Sequence, residues 1–176
     1  DPHRHRRRRC RGGPVHLGRI GGEPAPEPPV PVAGWRAEVR LTDAPGTSET
    51  TYNFARCIAA DEAGGVHVAW FDARAGEPQA YYRRSADGGT TWEPETRLSD
   101  PALGNVHPAL AVAGQQVYCV WHDTSFRVHF RRSLDGGASW REDVLLAGGK
   151  AGAAHASVAA TGTRVYVVWG DQRDGQ

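Results

Sequence analysis

All six tryptophans of this 176-residue chain fall into two columns of an internal repeat. One column holds Trp35, Trp92 and Trp140, in Gly34-Trp-Arg-Ala-Glu-Val-Arg-Leu, Thr91-Trp-Glu-Pro-Glu-Thr-Arg-Leu and Ser139-Trp-Arg-Glu-Asp-Val-Leu-Leu. The other holds Trp70, Trp121 and Trp169, in Val66-His-Val-Ala-Trp-Phe-Asp72, Val117-Tyr-Cys-Val-Trp-His-Asp123 and Val165-Tyr-Val-Val-Trp-Gly-Asp171. Between the last two copies the spacing is 48 residues in both columns. A period of that length denotes stacked supersecondary units, each unable to bury its apolar face alone.

Within each period, short runs of branched and aromatic residues alternate with Gly-, Asp- and Ser-rich turns, which predicts four strands per unit. The first unit reads 57–60, 66–72, 79–85 and 91–98. The second reads 107–112, 117–123, 127–133 and 139–146. A third opens with 155–160 and 165–171, and residues 35–41 read as the last strand of a preceding unit. No helical period runs through these segments. Four-stranded units repeating every 48 residues predict an all-β fold, a β-propeller of antiparallel blades, with about two and a half blades present. Gly 22 and Pro 12 suit such a turn-rich chain, and no apolar run approaches a membrane span. Met 0 and the stop in mid-blade are what a piece of a longer propeller would show.

Charge is uneven although the formal net charge is only +1. Residues 1–20 carry seven arginines against Asp1, and a Pro-rich stretch follows, so 1–33 read as a disordered basic, then Pro-rich, segment ahead of a propeller over 34–176. A tail of that kind can bind polyanions, but the near-neutral whole gives no nucleic-acid partner. Cys57 stands where the other copies have Ala109 and Ser157 and Cys119 where they have Val68 and Val167, so both read as small core side chains; Cys10 lies in the basic segment, and the three make neither a zinc pattern nor a disulfide framework. No metal or cofactor is assigned.

Two turns carry the most specific signal: Ser85-Ala-Asp87-Gly-Gly89-Thr-Thr-Trp92 and Ser133-Leu-Asp135-Gly-Gly137-Ala-Ser-Trp140. Each aspartate can accept hydrogen bonds from its own turn, and the glycines permit positive φ. The pattern Ser-x-Asp-x-Gly-x-Thr/Ser-Trp resembles the Asp-box, or bacterial neuraminidase repeat, of the sialidase superfamily. The resemblance covers about residues 34–176. It implies a six-bladed propeller, secreted or at the cell surface, acting on or binding a glycan or glycoprotein, with the remaining blades outside this chain. It also implies that the Asp-box residues are structural and lie on the face away from the ligand.

On that resemblance, the ligand end is built from loops leading into each first strand and following each second strand: 48–56, 72–78, 105–107, 123–126, 152–155 and 171–176. A sialidase grips the substrate carboxylate with arginines and uses an Asp acid/base and a Tyr nucleophile with a Glu. Arg56 lies near the place of the family's first arginine, in Phe54-Ala55-Arg56-Cys57-Ile58, where the Arg-Ile-Pro motif is broken. Asp72 and Arg74 resemble the Asp-x-Arg that precedes the acid, but the loop after them holds Glu77 and no second Asp. Arg56, Asp72 and Arg74 are therefore the catalytic candidates of an exo-α-sialidase-type hydrolase whose parts this chain does not complete. The alternative is a non-catalytic extracellular module that binds carbohydrate or protein.

His107 and His155 share one column, 14 residues before a second-strand tryptophan, and could meet near the channel axis to bind a metal or an anionic ligand, or serve as core side chains. With Asp123 and Asp171 they complete the ligand-binding candidates. The column Asp72, Asp123 and Asp171 has a second reading: a carboxylate present in every copy fixes the loop after its strand.

Overall fold

The computed structural model describes residues 39–43, 45–51, 56–74, 76–148 and 152–171. The basic and Pro-rich segment, Trp35, Tyr52 and Arg173 lie outside them. The described residues form eleven strands: β1 (Ser48–Glu49), β2 (Ile58–Ala60), β3 (Val66–Asp72), β4 (Gln79–Ser85), β5 (Thr96–Arg97), β6 (Asn105–Ala113), β7 (Gln116–Asp123), β8 (Val128–Ser133), β9 (Val144–Ala147), β10 (Ala154–Thr161) and β11 (Arg164–Gly170). No helix among them is long and apolar enough to cross a membrane.

The strands make three successive antiparallel sheets. The second is a complete four-stranded meander, β6-β7-β8-β9. In the first, β3-β4-β5 carry two short strands on the remaining edge of β3: β2 pairs with Val66–Val68 and β1 with Phe71–Asp72. The third contributes β10-β11. Sheets laid face to face in chain order, each built as a meander, are blades of a β-propeller.

Period-two burial locates the cores between blades. Leu110, Val117, Cys119 and Trp121 of blade two meet Ala69, Ala80, Tyr82 and Leu98 of blade one. The opposite face of blade two, Ala109, Ala111, Tyr118 and Val120, meets Ala156 and Val158 of blade three. Leu41, almost fully buried, closes the free face of blade one over Val68, Trp70 and Tyr81. Trp70 and Trp121 have no exposure, so the repeated tryptophan is an inter-blade anchor. Backbone bonds repeat with the same period: Asn105 N–H donates to the Pro78 carbonyl at 2.7 Å, and Ala153 N–H, 48 residues on, to the Phe126 carbonyl at 2.9 Å.

The Asp turns are equally regular. Ser85 Oγ donates to Asp87 Oδ1 at 2.7 Å, and Thr91 N–H and Oγ1–H donate to the same carboxylate at 2.8 and 2.6 Å. In the second copy Ser133 Oγ donates to Asp135 at 2.6 Å, and Ser139 N–H and Oγ–H at 2.9 and 2.5 Å. The bond from Thr91 first in Asp87, and from Ser133 first in Asp135, holds each carboxyl well below its usual range. The second turn also docks on its neighbour. Arg84 of blade one donates to the Gly136 carbonyl at 2.8 Å, and Trp140 stands edge-on to Tyr82 at 4.9 Å.

Several strand expectations need correction. The fourth strands are shorter than 91–98 and 139–146, because the Asp turn and its tryptophan occupy the first half of each segment. Within 48–56, read as a loop, Ser48 and Glu49 form a strand against Asp72 and Phe71. The first strands of blades two and three start before the two histidines, which sit inside them on bulges.

Candidate functional site

The loops after β3 and β7 and the starts of β6 and β10 gather at the end of the blades opposite the Asp turns. Both β6 and β10 break register there, between Val106 and Ala109 and between Ala154 and Ser157. Each bulge holds a histidine in the left-handed region: His107 at φ 56° and His155 at φ 56°. A bulge adds a residue and re-aims a side chain, and a non-glycine residue at positive φ is uncommon enough to mark a constrained position. The two bulges bring the rings together from adjacent blades, with centroids 5.8 Å apart.

A third imidazole completes the group. His122, at the end of β7, lies 5.2 Å from His107 and 5.3 Å from His155, and its Nδ1 accepts the His155 backbone N–H at 3.3 Å. Its Nε2 therefore carries the proton of the neutral ring. Phe71 of blade one meets His107 edge-on at 5.1 Å. His107 and His122 are buried, whereas His155 is exposed and forms the outer wall. Burial, and after it the charge of His155, lowers the His107 pKa. His122 is pulled down to about 4, by burial and then by His107 and His155, against a weaker pull from Asp123. At neutral pH both are neutral rings, each with one N–H and one acceptor nitrogen, and the acceptor of His122 is taken by the His155 N–H. Among the described residues no group of three or more His, Cys, Asp or Glu is placed to hold a metal ion.

Phe126 lies on the adjoining loop. It too has positive φ, 57°, and its side chain is open to solvent, with the residue 53% exposed. The bond from Ala153 N–H to its carbonyl sets it against the start of β10, two residues before His155.

The carboxylate column does different work in each blade. Asp72, 2% exposed, accepts Trp70 Nε1–H at 3.0 Å and Arg74 Nε–H and Nη2–H at 2.8 and 2.6 Å. Arg74 also pairs with Glu95 and lies 4.2 Å from the centre of the Tyr81 ring. Burial alone would raise the Asp72 pKa, but the bonds from Arg74 and Trp70 outweigh it and lower it. In blade two, Asn105 takes over the tryptophan, accepting Trp121 Nε1–H at 2.9 Å. Asp123 is thereby left to bind Arg127 Nε–H at 2.6 Å, His129 Nε2 at 3.1 Å and the Ser125 N–H at 2.8 Å. His129 also bonds Asp143 at 2.8 Å and stacks on Trp121. Burial lowers its pKa, and the two carboxylates more than reverse that. Asp171, half-buried, follows β11.

Of the residues singled out in the sequence, then, His107 and His155 come together. Asp72 with Arg74 and Asp123 with Arg127 are closed loop locks. Arg56 is exposed, at the seam where its carbonyl accepts the Leu110 N–H at 2.6 Å. His122, Phe71 and Phe126 were not singled out. One signal for the first two was present: between invariant Trp and Asp, the three copies read Phe71, His122 and Gly170, a column that breaks the symmetry of its neighbours.

The sequence matches no family model and no curated protein. Two bacterial-type sialidase structures resemble the chain. The Hadza microbial sialidase Hz136 matches at 18% identity and a TM-score of 0.41, over 52% of this chain and 25% of that one. The NanB sialidase from Streptococcus pneumoniae matches at 16% identity and a TM-score of 0.42, over 57% of this chain and 15% of that one. The likeness is one of fold. This chain spans a quarter or less of either sialidase.

Proposed function

We propose that this chain is part of a sialidase-superfamily propeller that works outside the cell or on its surface, and that its channel end holds a glycan without cleaving it. The observation that carries the reading is the closed pair of Asp72 and Arg74. An arginine that grips a substrate carboxylate must present its guanidinium fork. Arg74 instead directs Nε and Nη2 at Asp72 and Nη1 at Glu95. Asp72, bonded to Arg74, Trp70 and Ser48, has its carboxylate taken up by the protein itself.

What the same end does present suits a sugar. A pyranose ring offers one apolar face and a rim of hydroxyls. The exposed Phe126 offers a flat apolar surface, and the exposed imidazole of His155 a hydrogen-bonding edge. The Asp turns at the far end take no part in this reading: their aspartates and serines are bonded within the turn, and the second turn docks on blade one.

The chain should therefore bind a sialylated oligosaccharide saturably and release no fluorophore from a fluorogenic sialoside above the protein-free blank. Turnover that disappears in Arg74→Ala would overturn the reading and restore a hydrolase.

A further inference from the structure

We propose that His107, His122 and His155 form an oxyanion site that engages a carboxylate or phosphate-type group in its protonated state. The inference rests on the glycan reading above, since it assigns a ligand chemistry to the same end of the blades.

Geometry carries it. Three imidazoles from three strands of two adjacent blades converge with centroids 5.2 to 5.8 Å apart. Two of them are aimed by the same unusual backbone conformation on equivalent bulges. Packing alone does not call for this. The matching column of blade one is occupied by Ala55, so the repeat does not require a histidine there. Nor is the third ring supplied by repetition, because His122 stands where the other copies have Phe71 and Gly170.

The surrounding groups explain why an anion is the fitting ligand. From β3 the cluster meets the uncharged Phe71. From β6 and β10 come His107 and His155 themselves. From β7 comes Asp123, whose pull on His122 is the weakest of the influences on that ring and whose carboxylate is engaged by Arg127 and His129. Burial disfavours protonating either buried ring, and once one ring is protonated its charge disfavours protonating the next. An oxyanion seated against the open edge of the cluster reverses both effects. It would accept charge-assisted N–H bonds and raise the proton affinity of every imidazole it touches. By linkage, its binding takes up protons and strengthens as pH falls. The exposed His155 is the side from which it would enter.

The test uses the full chain and three probes: glucuronic acid, glucose as its uncharged counterpart, and inorganic phosphate, titrated calorimetrically near pH 7.5 and near pH 5. Glucuronate should bind about tenfold more tightly at the lower pH, with glucose unchanged. His155→Gln, at an exposed position and checked by its melting curve, should abolish the gain. Phosphate behaving like glucuronate assigns the site to free oxyanions as well as sugar-borne ones; phosphate failing to bind assigns it to acidic sugars. Glucuronate and glucose binding equally at both pH values would overturn the oxyanion site while leaving the glycan reading intact. Acid-dependent phosphate binding without sugar binding would uphold the site and overturn the glycan reading. If none of the probes binds, both fall.

Discussion

Gly137→Ala is expected to destabilise the chain by about 4 kcal/mol, the sum of left-handed strain and overpacking. Gly137 has φ 88°, and an added Cβ would stand 1.8 Å from the Tyr82 hydroxyl oxygen and 2.7 Å from its ring. Tyr82 has little room to retreat. It is 1% exposed, its hydroxyl is bonded to His67 Nδ1 at 2.7 Å, and its ring is held by Trp140. The equivalent change in the first turn separates the causes. Gly89 has a similar φ, 84°, but its added Cβ would meet nothing nearer than Trp92 at 3.7 Å. Gly89→Ala should therefore cost only the backbone strain, about 1–2 kcal/mol. Urea unfolding of the two variants measures the difference. Equal losses would mean that the second turn does not clasp blade one through Tyr82.

Asp72→Ala is the second large effect, about 3 kcal/mol. The substitution strips acceptors from Trp70 Nε1–H, buried in the blade-one core, and from the Arg74 guanidinium and N–H. Arg74 keeps Glu95 and is itself partly solvated, which limits the loss. Asp72→Asn, which retains one acceptor, should recover part of it. The folded-state pKa of Asp72 is depressed below 3.8, so its contribution is present above that value and fades as pH falls through the folded pKa. If Asp72→Ala melts like the parent, the carboxylate is not a loop lock, and its closure on Arg74 can no longer explain why Arg74 turns its guanidinium inward.

The blades were legible because their signal is redundant. Trp70 and Trp121 must be buried between sheets, and the turns between third and fourth strands spell out their own hydrogen bonds, so period, strand number and order follow from residue types alone. The fourth strands were overextended for a physical reason. Trp92 and Trp140 look like strand residues, but the aspartate bonds hold the chain in a turn up to Thr91 and Ser139; after one backbone bond each, from Glu93 to Arg84 and from Arg141 to Arg132, the regular ladder starts only at Thr96 and Val144.

The site was half legible. His107 and His155 share a column, so repetition exposed them; what repetition could not convey was the bulge that turns both rings toward one point. His122 escaped notice because it lies between a tryptophan and an aspartate whose regularity draws the eye. Phe126 escaped because a lone loop aromatic carries no pattern. The aspartate column shows the limit of reasoning by repeats. Asp72 and Asp123 occupy one position, yet Asn105 takes over the tryptophan in blade two and frees Asp123 for His129.

The central claim is that a glycan is held where the first strands of blades two and three meet. It is tested most directly by following the imidazole and phenyl resonances of the full chain while a sialylated oligosaccharide is titrated in. Signals from His155, His122, His107 and Phe126 should shift together and saturate, while those of Trp92 and Trp140 at the opposite end stay in place. Shifts confined to the two Asp turns, or no saturable shift at the histidines, would contradict it.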